Sequence, residues 1–177
     1  MFRTLIAAAS AALISSTAAL ADLEPGEAAP DFTVEGFQAG EPASFTLSEA
    51  LADGPVVVFF FPAAFTNGCE AQAASFAESI DDFDALGARV IGITGGNTDR
   101  LAEFSTQHCA SAFPVFAIGD GMMGDYEVRL LARPGWTDRT TYVIDQNSNI
   151  AMTHNAMSPY EHVDLSLAAL RSLADDE

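Results

Sequence analysis

The sequence predicts an α/β domain: a central mixed sheet flanked by helices. Three observations predict it. Val56 to Phe61 is an unbroken apolar run of β-branched and aromatic residues, the composition of a strand covered on both faces. Ala73, Phe76, Ile80 and Phe83 follow at helical spacing. Val90-Ile91-Gly92-Ile93 then begins a second buried strand, so strand, helix and strand alternate.

The other elements fall around this unit. Asp22 to Ala28 is a polar leader. Phe32-Thr33-Val34 and Ala43 to Thr46 read as short strands, with Gly36 and Gly40 between them. Leu47 to Leu51 makes a single helical turn, and Asp53-Gly54-Pro55 leads into the central strand. Pro62 ends that strand because it has no N–H for the ladder. Asn67-Gly68 supplies turn chemistry. The helix beyond it ends between Asp81-Asp82 and Leu86-Gly87. Gly95-Gly96-Asn97 turns the chain again, and Asn97 or Thr98 caps the next helix. Leu101, Phe104 and His108 share a face of that helix, which ends near Cys109. Phe113 to Ile118 is a third strand, and Gly119-Asp120-Gly121 opens a short helix through Tyr126. Arg129 to Thr137 is irregular, with Trp136 beside a Pro134-Gly135 turn. Thr140 to Ile144 and Ile150 to His154 form a hairpin. Val163, Leu167, Leu170 and Leu173 stripe a C-terminal helix.

Composition narrows the function. A chain of 177 residues, 49% hydrophobic, builds one domain with a full core. Seven basic residues, all arginine, face 25 acidic ones, for a formal charge of −18. Such a surface repels nucleic acid and anionic membranes; a neutral small substrate feels little of it. His108, His154 and His162 have no ligand-like spacing. There is no Gly-rich phosphate loop or haem-attachment motif, so neither metal nor cofactor is expected.

The chemistry centres on Cys69, in the first turn of the helix after the apolar strand. Unpaired N–H groups and the positive end of the helix dipole favour an anion there. A thiol in that position is driven towards thiolate, its nucleophilic form. Glu70 works against this, so a further positive group is needed nearby.

Pro62, Thr66 and Cys69 stand in the pattern Pro, three residues, Thr, two residues, Cys, after an apolar strand and before a long helix. In this the chain resembles the peroxiredoxins, thiol peroxidases on a thioredoxin-like fold. The resemblance runs from Ala29-Pro30-Asp31-Phe32 to Arg139-Thr140-Thr141-Tyr142-Val143-Ile144-Asp145 and covers nearly all of residues 22–177. It looks most like the bacterioferritin-comigratory, or Q-type, branch. The resemblance implies that Cys69 is the peroxidatic cysteine, attacking hydrogen peroxide or an organic hydroperoxide and becoming a sulfenic acid. It implies that the Thr66 hydroxyl reaches sulfur and peroxide, and that Pro62 shields the thiolate. It assigns to Arg139 the guanidinium that holds Cys69 as thiolate and offsets Glu70. By themselves, Thr66 reads as a turn or cap residue and Arg139 as one half of a surface ion pair.

Cys109 is less determined. Many Q-type members carry a resolving cysteine five residues after the first, but Ala74 stands there. Other members place it in the next helix, where Cys109 lies; the two helices must then loosen for the sulfurs to meet. The alternatives are a buried thiol in a one-cysteine enzyme and, in an oxidising compartment, a structural disulfide. The resemblance further implies a thioredoxin-like protein or small thiol as reductant, and a monomer in preference to a dimer.

Residues 1–21 read as a cleaved secretory signal: Arg3, an apolar Ala-rich run from Leu5 to Leu20, and an Ala19-Leu20-Ala21 cleavage site. Export to a bacterial periplasm follows as the expectation. Two other functions compete. A thiol–disulfide oxidoreductase of the thioredoxin type is weakened by Thr66-Asn67-Gly68-Cys69 in place of Cys-x-x-Cys. A non-catalytic binding module with a structural disulfide is the third reading.

Overall fold

A computed structural model describes residues 22–119 and 121–175; the signal segment expected over residues 1–21 lies outside them. Seven strands form one mixed sheet in the order β2-β1-β5-β4-β3-β6-β7. They are β1 (Thr33–Gln38), β2 (Glu41–Thr46), β3 (Val56–Ala63), β4 (Arg89–Gly96), β5 (Val115–Ala117), β6 (Thr140–Ile144) and β7 (Ile150–Asn155). β3, β4 and β5 are parallel; the other pairings are antiparallel. The helices are α1 (Leu47–Leu51), α2 (Asn67–Glu78), α3 (Ile80–Ala85), α4 (Leu101–Gln107), α5 (Met122–Asp125) and α6 (His162–Asp175).

β3 lies inside the sheet between β4 and β6 and all eight of its residues are buried, as the apolar run Val56 to Phe61 predicts for its first six. Alternation along it divides the core. Val56, Val58 and Phe60 point into a cluster with Leu47, Leu51, Met122 and Tyr126. Val57, Phe59 and Phe61 point into the opposite cluster, with Cys69, Phe76, Phe104, Cys109 and Leu170. Phe59 stacks on Phe76 of α2 at 4.4 Å between ring centroids, and Phe61 on Phe104 of α4 at 5.4 Å. Two neighbouring aromatics on one strand thus seat the helices that carry or precede the two cysteines.

Several local expectations change. Pro62 does not end β3, which runs on to Ala63 and pairs it with Gly96. Gly95 and Gly96 belong to β4 rather than to a turn. A Cβ at Gly95 would lie 2.2 Å from the Gly135 carbonyl oxygen, and one at Gly96 would lie 2.5 Å from the Ala63 Cβ. These glycines serve close approach, not reversal of the chain. Asn67-Gly68 forms the first turn of α2, not a separate turn. The cysteine helix breaks at Ser79, the cap position between α2 and α3, and Asp81 and Asp82 fall in the first turn of that second piece, where the dipole favours them. β5 is only three residues long.

Gly36 lies inside β1 and not between strands, because a Cβ there would sit 2.1 Å from the Val115 carbonyl oxygen of β5. Gly40, with φ +84°, follows Ala39 in the tight turn between β1 and β2. Gly36→Ala should therefore destabilise the fold by on the order of 2–3 kcal/mol in urea unfolding. Retention of wild-type stability would show that β1 can leave β5 at little cost.

Candidate active site

The end of β3 delivers Cys69. The Ala64 N–H donates to the Gly96 carbonyl at 3.1 Å, and Asn97 Nδ2 donates to the Ala64 carbonyl at 2.7 Å. Asn97 thus pins this loop and makes no side-chain cap of the following helix. Phe65 is left-handed, with φ 57°, a conformation a bulky residue adopts at a cost. Packing offsets that cost: Phe65 lies edge-on to Phe104 and His108, with the Arg100 guanidinium 3.7 Å from its ring centroid. Extended Thr66 then caps α2, and Cys69 is the third helical residue, its N–H donating to the Thr66 carbonyl at 2.8 Å. Only 1% of Cys69 is exposed.

Arg139 immediately precedes β6, and its guanidinium lies buried beside the sulfur. Nη2 is 3.5 Å from Cys69 Sγ. Nη1 donates to the Gly68 carbonyl at 3.2 Å and to Gln72 Oε1 at 2.5 Å, and Nε to the Met157 carbonyl at 3.1 Å. None of the ion pairs among the described residues involves it. No carboxylate among the described residues pairs with this buried cation; its contacts there are neutral carbonyl and amide oxygens and the Cys69 sulfur. The sequence-predicted pair of Cys69 and Arg139 therefore meets.

The other expected residues divide. Pro62 is buried in the strand that leads to the site. The Thr66 hydroxyl donates to the Ala63 carbonyl at 3.1 Å. Glu70 faces His108 at 3.4 Å and makes no ion pair with Arg139, whose Nη2 and Nη1 turn inward to Sγ and Gln72. His108 accordingly contacts Glu70 from the end of α4. Cys109 is a free, fully buried thiol in the same apolar cluster as Cys69, and burial pushes it strongly up.

Three participants were not singled out in the sequence. Gln72 is completely buried and is the side-chain acceptor of Arg139. Its signal was a polar residue on the inward stripe Cys69, Gln72, Ala73, Phe76. Gly68 makes room for the arginine: a Cβ there would lie 2.9 Å from Nη2. His162 is buried at the start of α6, with Nδ1 2.8 Å from Thr141 Oγ1 and Nε2 near the Ala156 and Ser158 carbonyls. No local pattern marks it, because its partners are set by tertiary packing.

A cysteine at a helix N-terminus, facing a buried arginine on a thioredoxin-like sheet, is the architecture of a thiol peroxidase. The AhpC/TSA family matches residues 25–153, and the chain belongs to that family, the peroxiredoxins. It is 30% identical over 154 residues to chloroplastic peroxiredoxin Q of Sedum lineare, covering 86% of this chain and 81% of that one. The Arabidopsis thaliana peroxiredoxin Q is 33% identical over 156 residues, with 86% and 69% covered. The crystal structure of peroxidoxin BcpB from Mycobacterium tuberculosis superposes with a TM-score of 0.73 at 31% identity, covering 85% of this chain and 98% of that one. The sheet and helices expected from the sequence agree with these neighbours.

His162 also gives the site a pH signature. Burial is the main cause that lowers it from 6.5 to about 4, with His154 and Arg139 adding in the same direction. The unfolded chain then binds more protons than the folded one between these values, so stability contributed by neutral His162 is full above pH 6.5 and falls as pH drops towards 4. Its slope should approach about 1.4 kcal/mol per pH unit. Urea unfolding of wild type and His162→Gln across this range should differ by that slope; parallel profiles would show that His162 titrates alike in both states.

Proposed function

We propose that Cys69 is the peroxidatic cysteine of this peroxidase, that Arg139 balances its thiolate, and that Cys109 resolves the oxidised form. The observation that carries the reading is the buried Arg139 guanidinium 3.5 Å from Sγ with no carboxylate partner among the described residues. The thiolate sulfur attacks one oxygen of hydrogen peroxide or an organic hydroperoxide. The S–O bond forms as the O–O bond breaks, and the other oxygen leaves as hydroxide or alkoxide and takes a proton. The N–H groups of α2 and the arginine stabilise charge on the departing oxygen. Thr66 and Pro62 shape the pocket. No bound cofactor takes part.

In the second step the Cys109 sulfur attacks the sulfenic sulfur, an S–S bond forms, and water leaves. A thioredoxin-like protein or small thiol then supplies two electrons to restore both thiols. The packed Cys109 is held as a thiol by burial, so this step needs the end of α4 to open. Two features support such opening. Ala110 and Ser111, next to Cys109, both have positive φ, 48° and 60°, and non-glycine residues there cost of order 1–2 kcal/mol each. The link from His108 to α2 is a single partly exposed contact with Glu70.

The chain is read as an exported, periplasmic enzyme from its leader sequence, and as a monomer. Residues Gly26, Glu27 and Ala29 hydrogen-bond along Ser148 and Ile150, which occupies part of the sheet edge at β7 and supports the monomer reading.

Equimolar hydrogen peroxide should oxidise the reduced protein orders of magnitude faster than free cysteine and leave it two hydrogens lighter by intact mass. Cys69→Ser should abolish the fast phase. Arg139→Ala should slow it by about 10²–10³. Cys109→Ser should keep it and end as a Cys69 sulfenic or sulfinic acid. The same oxidised end product in the wild type would remove Cys109 from the cycle, and a rate no faster than free cysteine would move the reading to a binding module.

A further inference from the structure

We propose that His162 is the positioning residue that sets the orientation of the Arg139 guanidinium, acting through the backbone of residues 156–158. The inference rests on the reading of Cys69 and Arg139 given above. Arg139 Nε has one acceptor, the Met157 carbonyl. That carbonyl belongs to the loop between β7 and α6, which holds no regular structure. The loop's large side chains do not anchor it: Met157 is 56% exposed and Tyr160 is 68% exposed. The clamp is polar. His162 Nε2 lies 3.2 Å from the Ala156 carbonyl and 3.1 Å from the Ser158 carbonyl, the two that flank Met157. The Ala156 N–H in turn donates to the Arg139 carbonyl at 3.1 Å. Three successive carbonyls are thus shared between one histidine and one arginine.

The protonation state follows from the partners. Two carbonyl oxygens at Nε2 require a proton there, so Nδ1 accepts from the Thr141 hydroxyl at 2.8 Å. Thr141 stands two residues after Arg139 on β6, opposite His154 of β7 in the register. The His154 ring meets the His162 ring edge-on at 4.5 Å. Strand β6 therefore fixes His162, His162 fixes the loop, and the loop fixes Nε. With Nε held, Nη2 faces Sγ. With Nε free, the guanidinium keeps its Nη1 bonds to Gly68 and Gln72 and pivots about them. A small pivot matters, because misplacement by about 1 Å can cost on the order of 10²-fold in rate.

The test compares two amides in a Cys109→Ser background. Gln at 162 carries its amide near the place of Nε2 and can still donate to the loop. Asn places its amide near Nδ1 and reaches Thr141 but not both carbonyls. Two readouts are followed: the single-turnover rate with hydrogen peroxide, and the pH profile of Cys69 alkylation by iodoacetamide. His162→Asn and His162→Ala should slow peroxide reduction on the order of tenfold and move the alkylation profile towards that of Arg139→Ala, whereas His162→Gln should restore most of both. Combining His162→Ala with Arg139→Ala should add nothing to Arg139→Ala alone. Equal rates for Gln and Asn, or a loss of thermal stability with rate and alkylation unchanged, would overturn the inference while leaving Arg139 in place. If Arg139→Ala itself changes neither readout, the underlying reading of the site falls, and the role of His162 falls with it.

Discussion

The buried charge of Arg139 is the constraint around which the site is built. A guanidinium taken out of water is costly unless its donors are used and its charge is met. Here Gly68, Gln72 and Met157 use donors on the first account, and all three acceptors are formally neutral. The remaining group that Nη2 reaches is the sulfur at the head of α2, 3.5 Å away. The surrounding sequence choices become consequences. Position 68 has no side chain, so the fork can approach the helix end. Position 72 is polar on an otherwise apolar stripe. The loop before α6 presents a backbone carbonyl, that of Met157, to Nε.

The two cysteines illustrate opposite uses of burial. Cys69 is nearly as inaccessible as Cys109, yet a guanidinium nitrogen lies 3.5 Å from its sulfur. Cys109 lies in the apolar cluster, and burial pushes its thiol up. Burial is common to both sulfurs; the nearby guanidinium is what distinguishes the surroundings of Cys69. The strained turn at Ala110-Ser111 adds a mechanical difference, since the loop before Cys69 is braced by Asn97 and by packing on Phe65.

Much of this was legible in the residues. The core strand over Val56 to Phe61, though not its extension through Pro62 to Ala63, the single turn of α1 and the β6–β7 hairpin follow from apolar runs and turn composition read locally. The pairing of Cys69 with Arg139, 70 residues apart, came from a motif at each position and not from any local rule. What escaped reading has a common cause. Gly36, Gly68, Gly95 and Gly96 looked like turn residues, but their reason is a backbone or guanidinium arriving from elsewhere in the chain. Gln72 and His162 take their roles from partners that only the folded sheet brings near. A polar residue on a helix stripe can be noticed beforehand, but its hydrogen-bond partner cannot.

The alternation of β3 has a practical corollary. Val56, Val58 and Phe60 contact one half of the interior; Val57, Phe59 and Phe61 contact the half that holds both thiols. The sheet works as a partition between two apolar clusters, one of which holds both sulfurs. Robustness and chemistry are therefore housed on separate sides of one wall. An engineer seeking a tougher enzyme would rebuild the lower room, around Leu47, Met122 and Tyr126, and leave the upper one furnished as it is.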